Sequence, residues 1–458
     1  MTAADSTTLH FHGAVGTVTG SRFLLQHGSE RYLIDCGLFQ GLKESRLRNW
    51  ATPGFEPGSL NAVLLTHAHL DHSGYLPVLT RQGFTGPILA TPATFDLCRY
   101  LLPDSGFIQE KDAAQANRYG YSRHDPALPL YTQTEANLCL QQFTTVPFHQ
   151  RQILSKRTAV TFSRAGHIPG AASILVETGS CRVLFSGDLG RTSCSTMPPP
   201  DPPSAADVVV IESTYGDRVH DPADVEEQLA AIIRTTLGRG GTLLVPAFAV
   251  GRTQLLLHHI NRLIKARRIP RVPVFLDSPL GINATEVFAN YPDDHSLTEA
   301  EVEAACALPR YVRDPEESRR LDHDTMPKII IAGSGMATGG RVLHHLKVYL
   351  GDPRHTILFS GYQAGGTRGE QLLNGAEQVR IHGEDWPVRA SVENLDMLSA
   401  HADSDELLEW LGQLPRAPKA VFVVHGESRA AAALAERVQQ ELRWPAILPD
   451  PEQEYELA

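Results

Sequence analysis

The sequence predicts a protein of the α/β or α+β class, in which helices pack on sheets. Short runs of β-branched residues alternate along the chain with loops and amphipathic helical patterns. Three segments also join an apolar run, a glycine-containing loop and a helical pattern: GTLLVPAFAVGRTQLLLHHI, PKIIIAGSGMATGGRVLHHL and HTILFSGYQAGGTRGEQLL. Because strands that alternate with helices are typical of parallel sheets, these segments favour an α/β fold for that part of the chain.

In the first half of the chain, predicted strands end directly before polar residues. One apolar run ends at Asp35 in LIDCG, and NAVLLT leads into the stretch THAHLDHSG. YLPVLTRQG then predicts a helix that Gly83 ends. RVLFSGDLG predicts a strand that breaks at Gly187 and Asp188.

The elements that follow are also marked by their end residues. The proline-rich stretch from Ser195 to Asp207 cannot continue a helix or a central strand, so it predicts a rigid connector. DVVVIEST predicts a strand. In DPADVEEQLAAIIRTTLG, Asp221 is the predicted helix cap, Pro222 the first helical residue and Gly238 the residue past the end. SAHADSDELLEWLGQL predicts a helix and AVFVVHGES a strand that leads into a loop.

Composition excludes several classes of protein. Hydrophobic residues make up 42% of the 458 residues and charged residues 20%, which excludes global disorder. The six cysteines lack CxxC spacing, which indicates reduced thiols in a cytoplasmic protein. No secretory signal is visible, and no apolar stretch approaches the roughly 20 residues of a membrane span. The net charge of −11 counts against a large non-specific nucleic-acid surface, although a local basic groove is compatible with it.

The stretch THAHLDHSG concentrates metal-ligand residue types. It places three histidines and one aspartate within six positions, from His67 to His72. In an extended segment His67 and His69 point to the same side, and Asp71 with His72 can turn back beneath them. The alternative is a polar loop with incidental histidines. The density of the pattern favours a metal site.

Four other segments end in similar residues beside glycine: Asp35, His167, Asp188 and His425. Strands that end this way predict one common rim of a sheet, where ligand pockets are favoured. The set contains imidazoles and carboxylates but no thiolate. That chemistry suits zinc, or manganese as second choice, in a site with two metals and an open position for water.

These segments together resemble a known family. THAHLDHSG, AGHIPGAAS and SGDLG are similar to motifs of the metallo-β-lactamase superfamily, and IESTYG, PAFAVGRTQ, SAHAD and VVHGE to motifs of its nucleic-acid-cleaving β-CASP branch. The resemblance runs from about Phe11 to His425. It implies an αββα sandwich formed by residues 1–214 and 391–458, with an inserted parallel α/β β-CASP domain at residues 215–390.

The resemblance also assigns roles to residues. It implies one zinc on His67, His69 and His167, and a second on Asp71, His72 and His425. Asp188 would bridge the two, Asp35 would orient a ligand histidine, and Asp71, Glu212 and His401 would be catalytic. Spacing alone does not decide whether His401 or His425 is the ligand. His425 ends a strand as the other ligands do, which agrees with the family.

The implied activity is hydrolysis of phosphodiester bonds in single-stranded RNA by an enzyme with two zinc or manganese ions. Endonucleolytic cleavage is favoured, 5′-to-3′ exonuclease activity is a second option, and a homodimer stays open. His401, held by Glu212, would protonate the leaving 3′ oxygen. The alternatives are a DNA nuclease of the same branch, a thioester or lactam hydrolase, a non-catalytic scaffold and an RNA-binding module. DNA-acting members tend to carry valine in place of His425, so this histidine favours RNA.

The glycine loops of the inserted domain predict contacts to substrate phosphate. Arg252, Arg341 and Arg368 stand at the starts of three predicted helices, and Gly335 lies in the loop GSGMATGGR, which lacks the GK[ST] of a nucleotide-binding P-loop. The alternative is that these arginines only cover helix surfaces. The basic stretch RLIKARRIPR is interpreted as a solvated helix end, and the pairs HH at 258–259 and 344–345 as packing or surface residues.

Overall fold

The computed structural model describes residues 6–120, 122, 124–221 and 224–457, which form two compact units. The first unit contains the described residues up to Ser193, then Pro199–Val219, and those from His401 onward. The second contains Cys194–Pro198 and His220–Ala400. In sequence, the second unit therefore interrupts the first.

The strands of the described residues are short and lie throughout the chain. In chain order they are β1 (Thr7–Phe11), β2 (Phe23–His27), β3 (Glu30–Ile34), β4 (Ala62–Leu64), β5 (Ile88–Ala90), β6 (Phe143–Thr145), β7 (Gln152–Ile153), β8 (Ala159–Arg164), β9 (Ala172–Glu177), β10 (Arg182–Phe185), β11 (Val208–Ile211), β12 (Leu243–Pro246), β13 (Val274–Asp277), β14 (Arg310–Tyr311), β15 (Ile329–Ala332), β16 (Thr356–Phe359), β17 (Gln378–Ile381), β18 (Glu384–Pro387), β19 (Ser391–Asn394), β20 (Ala420–Val423), β21 (Ala446–Ile447) and β22 (Glu454–Glu456).

Helices alternate with these strands in both units. They are α1 (Lys43–Leu47), α2 (Leu70–Ser73), α3 (Leu76–Arg81), α4 (Pro92–Tyr119), α5 (Gln133–Cys139), α6 (Val225–Gly238), α7 (Arg252–Lys265), α8 (Pro279–Asn290), α9 (Glu299–Ala307), α10 (Pro315–His323), α11 (Val342–Tyr349), α12 (Arg368–Leu373), α13 (Ser404–Gly412) and α14 (Ser428–Arg437). Within the described residues, none of these helices combines the length and the apolar character needed to cross a bilayer.

The first unit is a sandwich of two seven-stranded sheets. Their strand orders are β22-β1-β2-β3-β4-β5-β6 and β21-β20-β11-β10-β9-β8-β7, each with antiparallel and parallel pairs. Alternate side chains of both sheets share one core, for example Phe11 and Ile34 from one sheet and Phe162 and Phe185 from the other. Helices α4 and α5 pack together beside β6, and α14 packs on β20 and β21. This arrangement confirms the predicted αββα sandwich.

The second unit is built on a six-stranded sheet of order β14-β13-β15-β12-β16-β19, in which every pair is parallel. Leu243 and Ile329 lie in one hydrophobic core, while their neighbours Leu244 and Ile330 lie in another. Successive side chains of a strand point to opposite faces, so both faces are covered, as in other parallel sheets. The three strand–loop–helix segments are β12 with α7, β15 with α11 and β16 with α12, so the predicted parallel α/β domain is confirmed.

Element ends differ from the prediction in two places. Helix α6 begins after Asp224, whose carboxylate accepts hydrogen bonds from the N–H groups of Glu226 and Glu227. Asp221 is therefore not the cap, and Gly238 lies inside the helix. Pro222, the predicted first helical residue, lies outside the described residues.

The boundaries between the two compact units differ from the predicted domain boundaries, which follow residues 214 and 390. The chain passes from one unit to the other between Val219 and His220 and again between Ala400 and His401. At the second change, β19 pairs in parallel with β16 and so keeps residues 391–400 with the second unit. The assignment of segments to the two named domains stays a prediction.

A buried ionic cluster lies in the second unit. His345 Nε2 lies 2.8 Å from Asp277 Oδ2, and its Nδ1 lies 2.7 Å from Asp322 Oδ1. Arg341 also pairs with Asp277. Burial alone would lower the pKa of His345, but the hydrogen bonds to the two carboxylates raise it to about 9. His345 is thus a buried cation, which its helical sequence pattern did not indicate.

We expect this cluster to make the second unit less stable at alkaline pH. The folded pKa of His345 lies above the unfolded value, so its contribution is complete below about pH 6.5 and is lost as the pH rises through about 9. The whole contribution is of the order of 3 kcal/mol. Thermal unfolding at pH 6 and pH 9 should show this loss in the wild type and not in His345→Gln. An equal pH dependence of both proteins would contradict it.

Candidate metal centre

The predicted ligand residues follow strand ends of the first unit. Asp35 directly follows β3, Glu212 directly follows β11, and His425 comes two residues after β20. His67, His167 and Asp188 each stand three residues after a strand: β4, β8 and β10 respectively. Because β3 and β4 are parallel, and so are β10, β11 and β20, the carboxyl ends within each set lie at one sheet edge.

The backbone at this rim is closely packed and strained. Asp35 and His425 have φ angles of +58° and +48°, in the left-handed region that non-glycine residues rarely adopt. Such conformations persist where the surrounding structure holds them, often at functional sites. A Cβ at Gly37 would lie 1.5 Å from the Asp71 carbonyl oxygen, and one at Gly190 would lie 1.9 Å from that of Gly166. Only glycine allows these loops to approach the ligand segments so closely.

The first cluster contains His67, His69, His167 and Asp188. The Nδ1 atom of His69 lies 3.2 Å from Nε2 of both His67 and His167. Asp188 Oδ2 lies 3.4 Å from His67 Nε2 and 3.7 Å from His167 Nε2. Four potential ligand atoms therefore surround one small volume, and all lie within 4.8 Å of one another.

The second cluster contains Asp71, His72 and His425, with the other oxygen of Asp188. The Nε2 atoms of His72 and His425 lie 3.2 Å apart, and Asp71 Oδ2 lies 3.6 Å from His425 Nε2. Asp188 Oδ1 lies 3.3 Å from His72 Nε2 and 3.4 Å from His425 Nδ1. Asp188 thus presents one oxygen to each cluster, the arrangement expected of a carboxylate that bridges two cations.

Burial and neighbouring charges set the protonation of these groups. Burial lowers the pKa of His69 to about 4 and that of His67 well below its ordinary value, which leaves both imidazoles neutral at pH 7. Burial would raise the pKa of Asp188, but His425, His72 and His67 hold it well below the ordinary range. Neutral imidazoles and ionised carboxylates are the forms that bind metal.

Asp35 lies behind this cluster. Its Oδ2 lies 2.7 Å from His72 Nδ1, so it can hold the His72 ring with Nε2 toward the cluster. Burial would lower the pKa of His72, but Asp188 and Asp35 raise it well above its ordinary value. The two carboxylates therefore stabilise positive charge at this position. A carboxylate that orients a ligand histidine is common at metal sites.

Glu212 and His401 lie side by side next to the first cluster. His401 Nδ1 lies 3.3 and 3.2 Å from the two carboxylate oxygens of Glu212. The backbone N–H of Leu189 donates to Glu212 Oε1 at 2.6 Å. Burial would lower the pKa of His401, but the charge of Glu212 and its hydrogen bond raise it. His401 therefore favours the protonated form that a general acid needs.

Sequence reasoning missed two threonines that hold this site together. The hydroxyl of Thr66 donates to Asp35 Oδ2 at 2.9 Å and lies 3.1 Å from His67 Nδ1. Thr214 Oγ1 lies 3.2 Å from His425 Nδ1. The only available signal was position, because Thr66 directly precedes His67 and Thr214 stands two residues after Glu212.

The predicted phosphate-contacting residues lie in the second unit, where all four contact protein groups. Arg252 is buried, and a Cβ at Gly361 would lie 2.6 Å from its Nη1. Arg341 pairs with Asp277 and donates to the Val312 carbonyl.

Arg368 donates to the carbonyl oxygens of residues 337 and 380. A Cβ at Gly335 would lie 2.5 Å from the ring of residue 248. The alternative that these arginines only cover helix surfaces is therefore wrong for Arg252 and Arg341.

The residues of the two clusters fit divalent metal ions. Asp188 Oδ1 is buried, and the ring nitrogens of His72 and His425 lie 3.3 and 3.4 Å from it, beyond the usual length of an N–H···O hydrogen bond. The nitrogens of His72 and His425 face each other at 3.2 Å. Two nitrogens bound at about 2.1 Å to one tetrahedral zinc lie roughly 3.4 Å apart, which is close to this separation. A donor set of nitrogen and oxygen without sulfur also suits zinc or manganese.

Comparison with protein families also supports a metal site in this chain. Residues 15–139 match the metallo-β-lactamase superfamily, residues 253–372 match the β-CASP domain, and residues 385–449 match the Zn-dependent metallo-hydrolase RNA specificity domain. The three matches follow the chain in the order that the sequence motifs predict.

The chain is also similar to individual proteins over nearly its whole length. It is 38% identical to ribonuclease TTHA0252 of Thermus thermophilus, covering 92% of this chain and 94% of that protein. It is 30% identical to transcription termination factor FttA of Methanosarcina mazei, covering 94% and 68% respectively. It is 29% identical to an RNase J-like protein of Methanocaldococcus jannaschii, covering 96% and 97%.

One solved structure supports the fold alone. It is a protein of unknown function from Enterococcus faecalis V583, with a TM-score of 0.57 and 14% sequence identity. The similarity covers 98% of this chain and 100% of that one.

Proposed function

This chain belongs to the β-CASP branch of the metallo-β-lactamase superfamily, and from that premise we propose that it is a ribonuclease that hydrolyses phosphodiester bonds in single-stranded RNA with two zinc ions. The observation that carries the proposal is the position of Asp188, with one oxygen toward each ligand cluster and the pair Glu212–His401 beside it. Similarity to a protein named ribonuclease and to an RNA specificity domain supports RNA as the substrate.

The two clusters would hold the metals. His67, His69 and His167 would bind one ion, Asp71, His72 and His425 the other, and Asp188 both. Bound there, divalent ions supply Lewis-acid polarisation of a phosphoryl oxygen and activation of water. Protein contacts also hold the ligands in place: Asp35 orients His72, and Thr66, the residue before His67, donates to Asp35.

The proton for the leaving 3′ oxygen would come from His401. Its Nδ1 faces Glu212, and Nε2 is the nitrogen that we propose donates the proton. Glu212 is fixed from two sides, because it accepts from the N–H groups of Leu189 and Thr214. The carboxylate thereby orients the ring and keeps it protonated. Protonation of the leaving oxygen prevents the build-up of an alkoxide, a contribution of about 10²–10⁴ in rate.

The first test of the proposal is metal content. We expect elemental analysis of the purified protein to give about two metal ions per chain, with zinc preferred over manganese, since the ligand atoms form two clusters that share Asp188. Chelation should remove both the metal and the cleavage of RNA, and added zinc should restore them. No bound metal, together with no gain of activity from zinc or manganese, would contradict the two-metal proposal.

Arg252, Arg341, Arg368 and Gly335 are proposed to contact the RNA backbone. Arg368 is the best test, because Arg341→Ala would also remove the partner of buried Asp277. Arg368 donates through Nε and Nη1, which leaves further N–H groups for a phosphate. We expect Arg368→Ala to weaken RNA binding and to lower the slope of log K against log[salt] by about 0.7, with hydrolysis of a nitrophenyl phosphodiester unchanged.

The control is Arg354→Ala, an exposed arginine paired with Asp352. Equal losses on both substrates would place Arg368 in folding or chemistry.

Endonucleolytic cleavage, 5′-to-3′ exonuclease activity, a homodimer and a cytoplasmic location remain predictions from the sequence. A DNA nuclease of the same branch is the second candidate function, and cleavage assays on RNA and DNA of the same sequence separate it from a ribonuclease.

A further inference from the structure

A basic pocket lies in the second unit, away from every predicted site residue along the chain. It has a volume of about 830 Å³ and is lined by Arg234 of α6, Lys265 at the end of α7, and Arg267, Arg268 and Arg271 beyond it. Within the described residues, no carboxylate lines this pocket. Asp224, Glu226 and Glu227 pair with two of the five cations, and the other three give this volume a positive potential in a chain whose net charge is −11.

The cations of this pocket differ in how they are paired. Arg268 forms ion pairs with Glu226 and Glu227, and Arg234 with Glu227. These contacts hold the rim in place, since Arg234 also donates to the carbonyl oxygen of Arg268 at 3.0 Å. The sequence interpretation is a solvated helix end that complements its own dipole. That interpretation does not account for the ion pairs between Arg268 and the glutamates of α6.

The other three cations remain available to a ligand. Lys265, Arg267 and Arg271 are exposed, and in the described part of the chain no carboxylate lies within ion-pair distance of them. Arg267 has a φ of +57°, in the left-handed region, and its backbone N–H donates to the Ile264 carbonyl oxygen. The turn after α7 is thus fixed, and it presents three unpaired cations within seven residues.

The pocket also offers apolar surface beside the charge. Ile264, Ile269 and Pro270 complete its lining. Phosphate groups alone need only the cations, whereas a nucleotide also needs apolar or planar surface for its base. Arginine supplies both, because its planar guanidinium binds phosphate through two N–H groups and stacks on bases.

We infer that this pocket binds the phosphodiester backbone of single-stranded RNA, as a docking site separate from the metal ligands. The inference rests on the proposed function, which supplies RNA as the polyanion that the chain meets. An acidic protein segment would match the charge but would leave the apolar lining and the arginine planes less used. The pocket holds no aromatic side chain for strong stacking, so binding there should depend on charge and little on base sequence.

The test is RNA binding by a triple variant of the full, metal-loaded chain. Lys265, Arg267 and Arg271 are replaced by alanine, and a fluorescent 20-nucleotide RNA with phosphorothioate linkages serves as a slowly cleaved probe. We expect Kd to rise at least about tenfold and the slope of log K against log[salt] to fall by roughly 2, since each lost phosphate contact removes about 0.7. Hydrolysis of a nitrophenyl phosphodiester should be unchanged. Lys265→Arg, which keeps the charge, should bind as the wild type.

A matched variant controls for total charge. Arg319, Arg320 and Arg380 are also exposed arginines of the second unit, outside this pocket, and their replacement by alanine removes the same charge. The inference is overturned if both triple variants bind RNA alike. It is also overturned if the pocket variant binds RNA as tightly as the wild type does but no longer binds fluorescent polyglutamate, because the pocket would then accept acidic protein and not RNA.

Cleavage of an ordinary RNA by the wild type is measured in parallel. If the wild type cleaves RNA but the pocket variant binds like the control, only the pocket inference fails. If the wild type does not cleave RNA at all, the proposed function fails, and a selective loss of binding in the pocket variant still assigns the pocket to RNA.

Discussion

Replacing Asp188 by asparagine is expected to abolish cleavage of RNA. The two oxygens of Asp188 face different clusters, Oδ2 toward His67 and His167 and Oδ1 toward His72 and His425. An amide offers one oxygen to one cluster and a donor NH₂ group to the other, so it cannot neutralise and bridge two dications. We expect activity to fall at least about 10²–10³-fold, the size of effect seen when one preorganised electrostatic group is removed from an active site. Metal content should fall below two per chain.

The same substitution should leave the protein folded. Asp188 lies beyond the end of β10, and the hydrophobic core between the two sheets does not include it. Circular dichroism and the thermal unfolding curve check this point. Asp405→Asn is the matched control, because Asp405 is an exposed aspartate of the same unit, paired with Arg437. Cleavage by Asp188→Asn at the rate of Asp405→Asn would show that Asp188 does not bridge the metals.

The second large effect separates the roles of His401 and His425. As a general acid, His401 when replaced by alanine should slow the chemical step by about 10²–10⁴ while metal content stays near that of the wild type. Added zinc should not restore the rate. Hydrolysis of a nitrophenyl phosphodiester should be spared, because its leaving group is already acidic and needs no proton. His10→Ala, at a histidine outside the site, is the control.

As a metal ligand, His425 when replaced by alanine should give the opposite pattern. Occupancy of one site should fall, and excess zinc should restore part of the activity. Glu212→Gln should resemble His401→Ala with a weaker effect, since Glu212 contacts His401 Nδ1 and only tunes it. If His401→Ala loses a metal, or slows the nitrophenyl substrate as much as RNA, the roles of the two histidines must be exchanged or another acid sought.

Much of the site could be predicted because its ligands are local in sequence. The stretch from His67 to His72 supplies four ligand residues in six positions, and the remaining ligands each follow an apolar strand. Strand ends at one edge of a sheet meet in space, so this pattern predicts proximity without knowledge of the fold. The parallel sheet of the second unit was predictable for the same reason, because each strand, loop and helix is contiguous.

What could not be predicted depends on contacts between distant segments. The rings of His401 and His425 lie 6.4 Å apart, and contacts in the folded chain distinguish them, because His401 contacts Glu212 whereas His425 Nε2 lies 3.2 Å from His72 Nε2. Thr66 and Thr214 are common residue types whose hydroxyl partners appear only in the folded chain. The partners of His345, Asp277 and Asp322, are 68 and 23 residues away. A pattern of apolar residues also cannot predict that β19 pairs with β16. This pairing keeps β19 in the second unit, beyond the predicted boundary after residue 390.

The activity proposed for this chain is metal-dependent cleavage of RNA. The most direct test incubates it with 5′-labelled single-stranded RNA and with DNA of the same sequence, each with and without a chelator, and the lengths of the products are read on a gel. We predict cleavage of RNA that the chelator abolishes and that added zinc restores, with little cleavage of DNA. Internal fragments would indicate an endonuclease, and release of labelled mononucleotide an exonuclease. Cleavage of DNA in preference to RNA, or cleavage of RNA that persists in the chelator, would contradict a metal-dependent ribonuclease.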